Sequence, residues 1–197
     1  MLTPALLPVI QRLLVDADLD GWLLYDFRGT NSIAAGLLGF KGLASRRVFA
    51  FIPREGIPHA IGHNIEPGPW AKWPTEWPRV TYSSWQTLES ELAKLVAGKR
   101  VAMEYSAGDA IPYLDRIPAG VLEMVRATGA TVVTSADLVS QVYATWTAPQ
   151  RDSHVRAAEI IAQIAKDTIN YAGAQLSAGK PVAEHELQAR ILSAFER

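Results

Sequence analysis

The chain has 197 residues, which suits one large domain or one ordinary domain with part of a second. Apolar residues make up 49% and charged residues 20%, a globular balance that excludes a disordered chain and allows a sizeable core. With 19 basic and 20 acidic side chains, no long run of either sign and no cysteine, it lacks a phosphate-binding footprint, disulfides, thiolate metal sites and cysteine nucleophiles, so no nucleic-acid partner is expected.

The opening MLTPALLPVI is apolar, but it has no basic start and two prolines break it, so it does not read as a signal peptide. Nowhere does an apolar stretch approach the roughly 20 residues of a membrane span. A soluble, cytoplasmic chain with no membrane partner is expected.

Thr3 followed by Pro4 reads as a helix N-cap, and Leu6, Leu7, Ile10, Leu13 and Leu14 continue at helical spacing to about Asp18, before Gly21. Trp22-Leu23-Leu24-Tyr25 is a short unbroken apolar run of the kind buried on both faces of a sheet. A polar turn from Asp26 to Thr30 follows. Asn31 then caps a short helix through Leu37, and Gly39 and Gly42 mark a loop.

Val48–Ile52 and His59–Ile61 flank Pro53-Arg54-Glu55-Gly56 as a hairpin. Glu66 to Pro78, with Trp70, Trp73 and Trp77 among four prolines, reads as an unusually long anchored loop. Val80–Tyr82, Val101–Met103 and Thr131–Val133 are further strands, alternating with helices at Trp85–Val96, Val121–Ala127 and Ala136–Val142. That alternation predicts an α/β sandwich around a mostly buried mixed sheet.

From about Ala144 the pattern changes. Thr147 and Gln150 stand at capping-box spacing, and roughly eight turns of helix follow, to Gly179. Leu187, Ile191 and Phe195 begin the stripe of another helix. Residues 1–144 are expected to form one domain, and 145–197 the linker and first two helices of a second, truncated one.

Chemistry-bearing clusters are sparse. His59 and His63 fall on strand and loop, so helical i, i+4 zinc geometry does not follow. Glu184-His185-Glu186 are adjacent on a helix and point apart. There is no GxSxG, P-loop or GxGxxG. Tyr25 to Asn31 places an acid, a base and polar groups at the end of a buried strand, where binding groups often lie. The first reading of these residues is nonetheless an Asp26–Arg28 turn pair with Asn31 as N-cap. The three tryptophans have two readings as well, anchors for their loop or an exposed aromatic patch for a partner subunit.

Two segments carry a resemblance. YDFRGTNSIAAGLLGF is similar to the stretch of Xaa-Pro peptidases in which a strand runs into an arginine, an asparagine and a Tyr-Leu-Thr-Gly-Phe-like pattern, with Arg28, Asn31, Gly39 and Phe40 at corresponding positions. Residues 144–197 resemble the junction where the creatinase/prolidase amino-terminal domain gives way to the first helices of the pita-bread domain. Pro181-Val182-Ala183-Glu184 stands there for Pro-Val-Thr-Glu, without the capping threonine.

The resemblance implies a creatinase/prolidase N-terminal-like mixed-sheet domain of a metallopeptidase that hydrolyses the bond preceding proline in short peptides, cut before its metal site. It implies two divalent metals (manganese, cobalt or zinc) in the complete enzyme, held outside this chain, so no catalytic or metal residue is assigned here. Asp26, Arg28 and Asn31 are the candidates for reaching the substrate cleft, and Trp70, Trp73 and Trp77 for a homodimer interface. A stand-alone binding or dimerisation module, or the corresponding domain of a creatinase-like amidinohydrolase, are the alternatives.

Overall fold

The computed structural model describes residues 1–40 and 44–196; Gly42, read above as a loop marker, lies outside them. The chain divides into two compact units, Met1–Thr145 and Trp146–Arg197. In the first, α1 (Leu7–Asp16), β1 (Gly21–Asp26), α2 (Ser32–Leu38), β2 (Val48–Pro53), β3 (His59–His63), β4 (Arg79–Tyr82), α3 (Trp85–Val96), β5 (Arg100–Met103), α4 (Ala119–Ala127), β6 (Thr131–Thr134) and α5 (Ala136–Leu138) follow one another. The six strands form one mixed sheet in the order β4-β3-β2-β1-β5-β6. The β1–β2 and β2–β3 pairs are antiparallel, and β3–β4, β1–β5 and β5–β6 are parallel.

Period-two alternation sends side chains to two separate cores. On one face Trp22, Leu24, Val48, Ala50, Ile52 and Ala102 pack under α1, α2 and α5. On the other, Leu23, Tyr25, Phe49, Phe51, Val101 and Met103 pack under α3 and α4. Central β1 is buried at all six positions, as its unbroken apolar run predicts. The result is the expected mixed-sheet sandwich.

Packing at the start of β1 needs a glycine. A Cβ on Gly21 would run into the Phe51 ring and lie 2.7 Å from the Ile52 carbonyl oxygen. Gly21→Ala is therefore expected to destabilise the chain by about 1–3 kcal/mol, the usual cost of overpacking. Urea unfolding checks this, and an unchanged midpoint would refute it.

Two helix readings shift. Thr3 caps a turn, its Oγ1 and carbonyl accepting from Leu6 N–H, and α1 itself starts only at Leu7 with Pro8 in its first turn, where a missing N–H is harmless. It ends at Asp16, because Asp18 takes a left-handed conformation (φ 50°). The helix expected over Ala136–Val142 is one α turn followed by a π turn at Val139–Tyr143. The wider turn sends Tyr143 onto α2, where its hydroxyl donates to Ser32 O at 3.2 Å and its ring fills the space a side chain on Gly36 would need.

The second unit holds α6 (Ala148–Ser177) and α7 (Glu184–Phe195). The capping box at the start of α6 is present: Thr147 Oγ1 accepts from Gln150 N–H and Gln150 Oε1 accepts from Thr147 N–H. At α7 the cap position is Ala183, and only the reciprocal half of such a box forms, with Glu186 Oε2 accepting from Ala183 N–H at 2.9 Å. Arg190 stacks over the Tyr171 ring at 4.4 Å. Ile160, Ile161, Ile169, Leu176, Leu192 and Phe195 are exposed on these helices.

Candidate functional site

β1 and β5 are parallel neighbours, so Asp26 and Glu104 emerge at the same carboxyl end of the sheet. The helices that follow them depart to opposite faces, α2 to one core and α4 to the other. Chains parting this way leave a gap between the two strand ends, which is where open α/β sheets commonly bind ligands. Here the gap is filled from within. The Glu104 carboxyl has 0% exposure and accepts from Trp22 Nε1–H (2.6 Å), Ser135 Oγ–H (3.2 Å) and Asn31 Nδ2–H (2.8 Å).

Asn31 is equally buried and uses nearly all its hydrogen-bonding capacity. Its Nδ2 also donates to Tyr25 O (2.8 Å), its Oδ1 accepts from Ala34 N–H (3.1 Å) as the cap of α2, and its own N–H donates to Asp26 Oδ1 (2.9 Å). Asp26 Oδ2 accepts from Gly29 N–H at 2.9 Å. Trp22, Tyr25, Asp26, Asn31, Glu104 and Ser135 thus form one continuous buried network. Burial pushes the Glu104 carboxyl up from 4.5 to about 7, against the pull of the Trp22, Asn31 and Ser135 hydrogen bonds. A carboxyl titrating near neutrality is often a general acid or base, but a fully buried one with every partner internal has no access to substrate. Its role in this geometry is to hold β1, β5 and the starts of α2 and α5 together.

Of the three residues expected to reach a cleft, the structure buries Asp26 and Asn31 in this network and exposes Arg28. Among the described residues no ion pair joins Asp26 to Arg28; the acid's partners are backbone N–H groups. Arg28 has φ 60° and Gly29 φ 74°, so the turn tip is left-handed, which disfavours an arginine. The Asp26 carboxylate and the Arg28 N–H bond to Ala44 O (2.9 Å) hold it there.

Trp70, Trp73 and Trp77 form an edge-to-face stack with centroid separations of 5.3 and 5.2 Å. Trp70 and Trp77 are buried in the α1–α2 core, and Trp73 is half-buried, donating to Trp77 O at 3.1 Å. Trp70 lies over Gly62, where a Cβ would meet its indole nitrogen. The indoles pin their loop to the sheet, and Trp73 lines an open cleft of about 540 Å³ with Pro74, Glu76 and Arg79.

His59 and His63 stand at the two ends of β3, about 13 Å apart at strand rise, too far to share an ion. Among the described residues no three of His, Cys, Asp and Glu converge as metal ligands, and no helix is long and apolar enough to cross a membrane. Sequence reading missed Glu104, Trp22 and Ser135. The available signal was a lone acid directly after the apolar run Val101–Met103.

No protein-family model matches the sequence, and no curated protein matches it either. Solved structures do match. The prolidase from Thermococcus sibiricus superposes with a TM-score of 0.60 at 17% identity, over 100% of this chain and 50% of that one. The dipeptidase PepE from Mycobacterium ulcerans gives 0.61 at 16% identity, over 95% and 48%. The creatinase/prolidase N-terminal domain of an X-Pro dipeptidase from Streptococcus pyogenes gives 0.53 at 11% identity, over 71% of this chain and 100% of that domain. The chain spans about half the length of the prolidase and of PepE. At these identities the likeness is one of fold, and the mixed sandwich seen here has the fold of creatinase/prolidase N-terminal domains.

Proposed function

We propose that this chain is the non-catalytic amino-terminal part of a metal-dependent Xaa-Pro peptidase acting on short proline-containing peptides in the cytoplasm. The observation that carries the reading is the fold likeness, which covers 100% and 95% of this chain for a prolidase and a dipeptidase and 71% of it for an isolated N-terminal domain of an X-Pro dipeptidase. In this reading the first unit covers one side of a substrate cleft and supports a homodimer. Trp73 and its cleft are the dimer candidates, since Trp70 and Trp77 are committed to the core.

The described residues do not fit a two-metal centre, lacking any three-ligand cluster, so manganese, cobalt or zinc would be held by residues outside this chain. In the complete enzyme such cations would supply activation of water and polarisation of the scissile carbonyl. This chain's contribution is positional. Arg28 is the candidate for contact with substrate, being exposed on a turn that the Asp26–Asn31 network holds rigid.

The test is an assay of the polypeptide that the natural gene yields, with Xaa-Pro dipeptides and added Mn²⁺, Co²⁺ or Zn²⁺. Metal-dependent hydrolysis is expected, and Arg28→Ala should cut kcat/KM by about tenfold, the value of one charge-assisted contact. No hydrolysis with any of the three metals would sink the peptidase reading. Wild-type kinetics in the Arg28→Ala variant would sink only the role of that residue.

A further inference from the structure

We propose that the cleft framed by Phe27, Arg46, Arg47, His63, Ser83 and Trp85 binds a carboxylate carried on an apolar, ring-sized body. The cleft encloses about 330 Å³, at the lower end of small-molecule sites. It lies beside the Arg28 turn, because Arg28 N–H donates to Ala44 O just ahead of Ser45–Arg47. Four elements build it: the end of β1, the approach to β2, the end of β3 and the β4–α3 junction. The site stands on its own chemistry and does not depend on the peptidase reading.

The charge is arranged for an anion. Among the described residues neither Arg46 nor Arg47 lies within ion-pair distance of a carboxylate. Arg46 Nη1 donates only to Ser45 O (3.1 Å) and Ser45 Oγ (3.2 Å), and Arg47 Nη1 has the Met124 sulfur at 3.9 Å, a poor acceptor. The nearby acid, Glu66, is spent on the backbone: it accepts from Ser45 N–H (3.1 Å), Arg46 N–H (3.0 Å) and the Ser45 hydroxyl. It thereby fixes the segment that presents both guanidinium groups. Tyr82 Oη–H donates to Arg47 O at 2.8 Å and ties the same segment to β4.

His63 adds a donor. Its Nδ1 accepts from Ile65 N–H at 3.3 Å, which leaves the proton of the neutral ring on Nε2, and the ring is braced edge-on against Tyr82 at 4.8 Å. The Ser83 hydroxyl sits on the exposed rim.

The apolar half of the ligand follows from the rim. Trp85 is 60% exposed and Phe27 37% exposed, both large aromatic surfaces left in water on a cleft that also carries two arginines. A bare phosphate would use the arginines and leave both rings idle. A carboxylate on a ring or proline uses both.

The experiment titrates the 197-residue chain with 3-phenylpropionate, with acetyl-Ala-Pro, with the amides of both, and with inorganic phosphate. Calorimetry and backbone amide NMR read the result. The expected outcome is saturable binding of the acids, with shifts at residues 27, 46–47, 63 and 83–85 and about tenfold or greater weakening on amidation. Arg46→Ala, whose side chain is exposed and outside both cores, should weaken both acids similarly. Trp85→Ala should weaken the acids and leave phosphate unchanged. The tighter of the two acids tells a free organic acid from a peptide carboxyl terminus, and either order supports the site. Equal affinity for acid and amide, phosphate binding tighter than either acid, or an Arg46→Ala variant that binds like wild type would overturn it.

Discussion

Glu104→Gln is expected to flatten the pH dependence of unfolding stability between about pH 4.5 and 7. Burial raises the Glu104 carboxyl from 4.5 to about 7 in the folded chain. Between those values the folded state holds a proton that the unfolded state has released, so stability falls as pH rises. The stabilisation from this group is complete below about 4.5, declines up to about 7 and is flat above it. At about 1.4 kcal/mol per pKa unit the loss is on the order of a few kcal/mol.

His59 has the opposite sense, since burial and Lys99 lower its pKa and its contribution fades as pH falls. The difference between wild type and the Gln variant therefore isolates Glu104. Urea midpoints from pH 5 to 8 supply the measurement, and a difference that stays constant across that range refutes the assignment. Glu104→Ala goes further, because it strands the Trp22, Asn31 and Ser135 donors around a cavity. About 3–5 kcal/mol of destabilisation is expected at pH 5, where the wild-type carboxyl is protonated, and less at pH 8 by the amount the wild-type chain itself has lost there.

Asn31→Asp is the second large effect, and it separates shape from hydrogen-bond polarity. Aspartate is as good an N-cap as asparagine, so the bond from Ala34 N–H survives. Both donations of Asn31 Nδ2 are lost, however, and a carboxylate oxygen then faces Tyr25 O and Glu104 Oε2, each of which had been 2.8 Å from an N–H donor. Two buried carboxylates in contact cannot both ionise cheaply. The variant should lose about 3 kcal/mol or more at pH 8, and distinctly less at pH 5, where one proton can be shared. Unfolding of Asn31→Asp and Asn31→Ala at the two pH values decides the matter. If aspartate costs no more than alanine at pH 8, the contact with Glu104 is not as described.

These variants mark the limit of what the primary structure conveyed. The Trp22–Tyr25 run, the Trp85–Val96 stripe and the Thr147–Gln150 cap each state their own conformation within a few residues, and the structure agrees at all three. Asn31 was legible as a cap because its partner, Ala34 N–H, is three residues away. The π turn at Val139–Tyr143 was not, because its extra residue answers to Gly36 on another helix.

The sequence by itself therefore determined the elements, their alternation and the α/β class, since propensity, periodicity and capping act over a turn or two of chain. Tertiary structure alone decided which polar residues are spent inside and which face water. Glu104 draws its donors from Trp22, Asn31 and Ser135, which lie 82, 73 and 31 residues away, and no local pattern records such a meeting. The same holds for Arg46, Arg47, His63 and Trp85, brought to one cleft by the order in which β2, β3 and β4 pair. Strand pairing is set by which apolar faces bury together, a property of the whole sheet, and the polar ends of the strands follow wherever that pairing puts them.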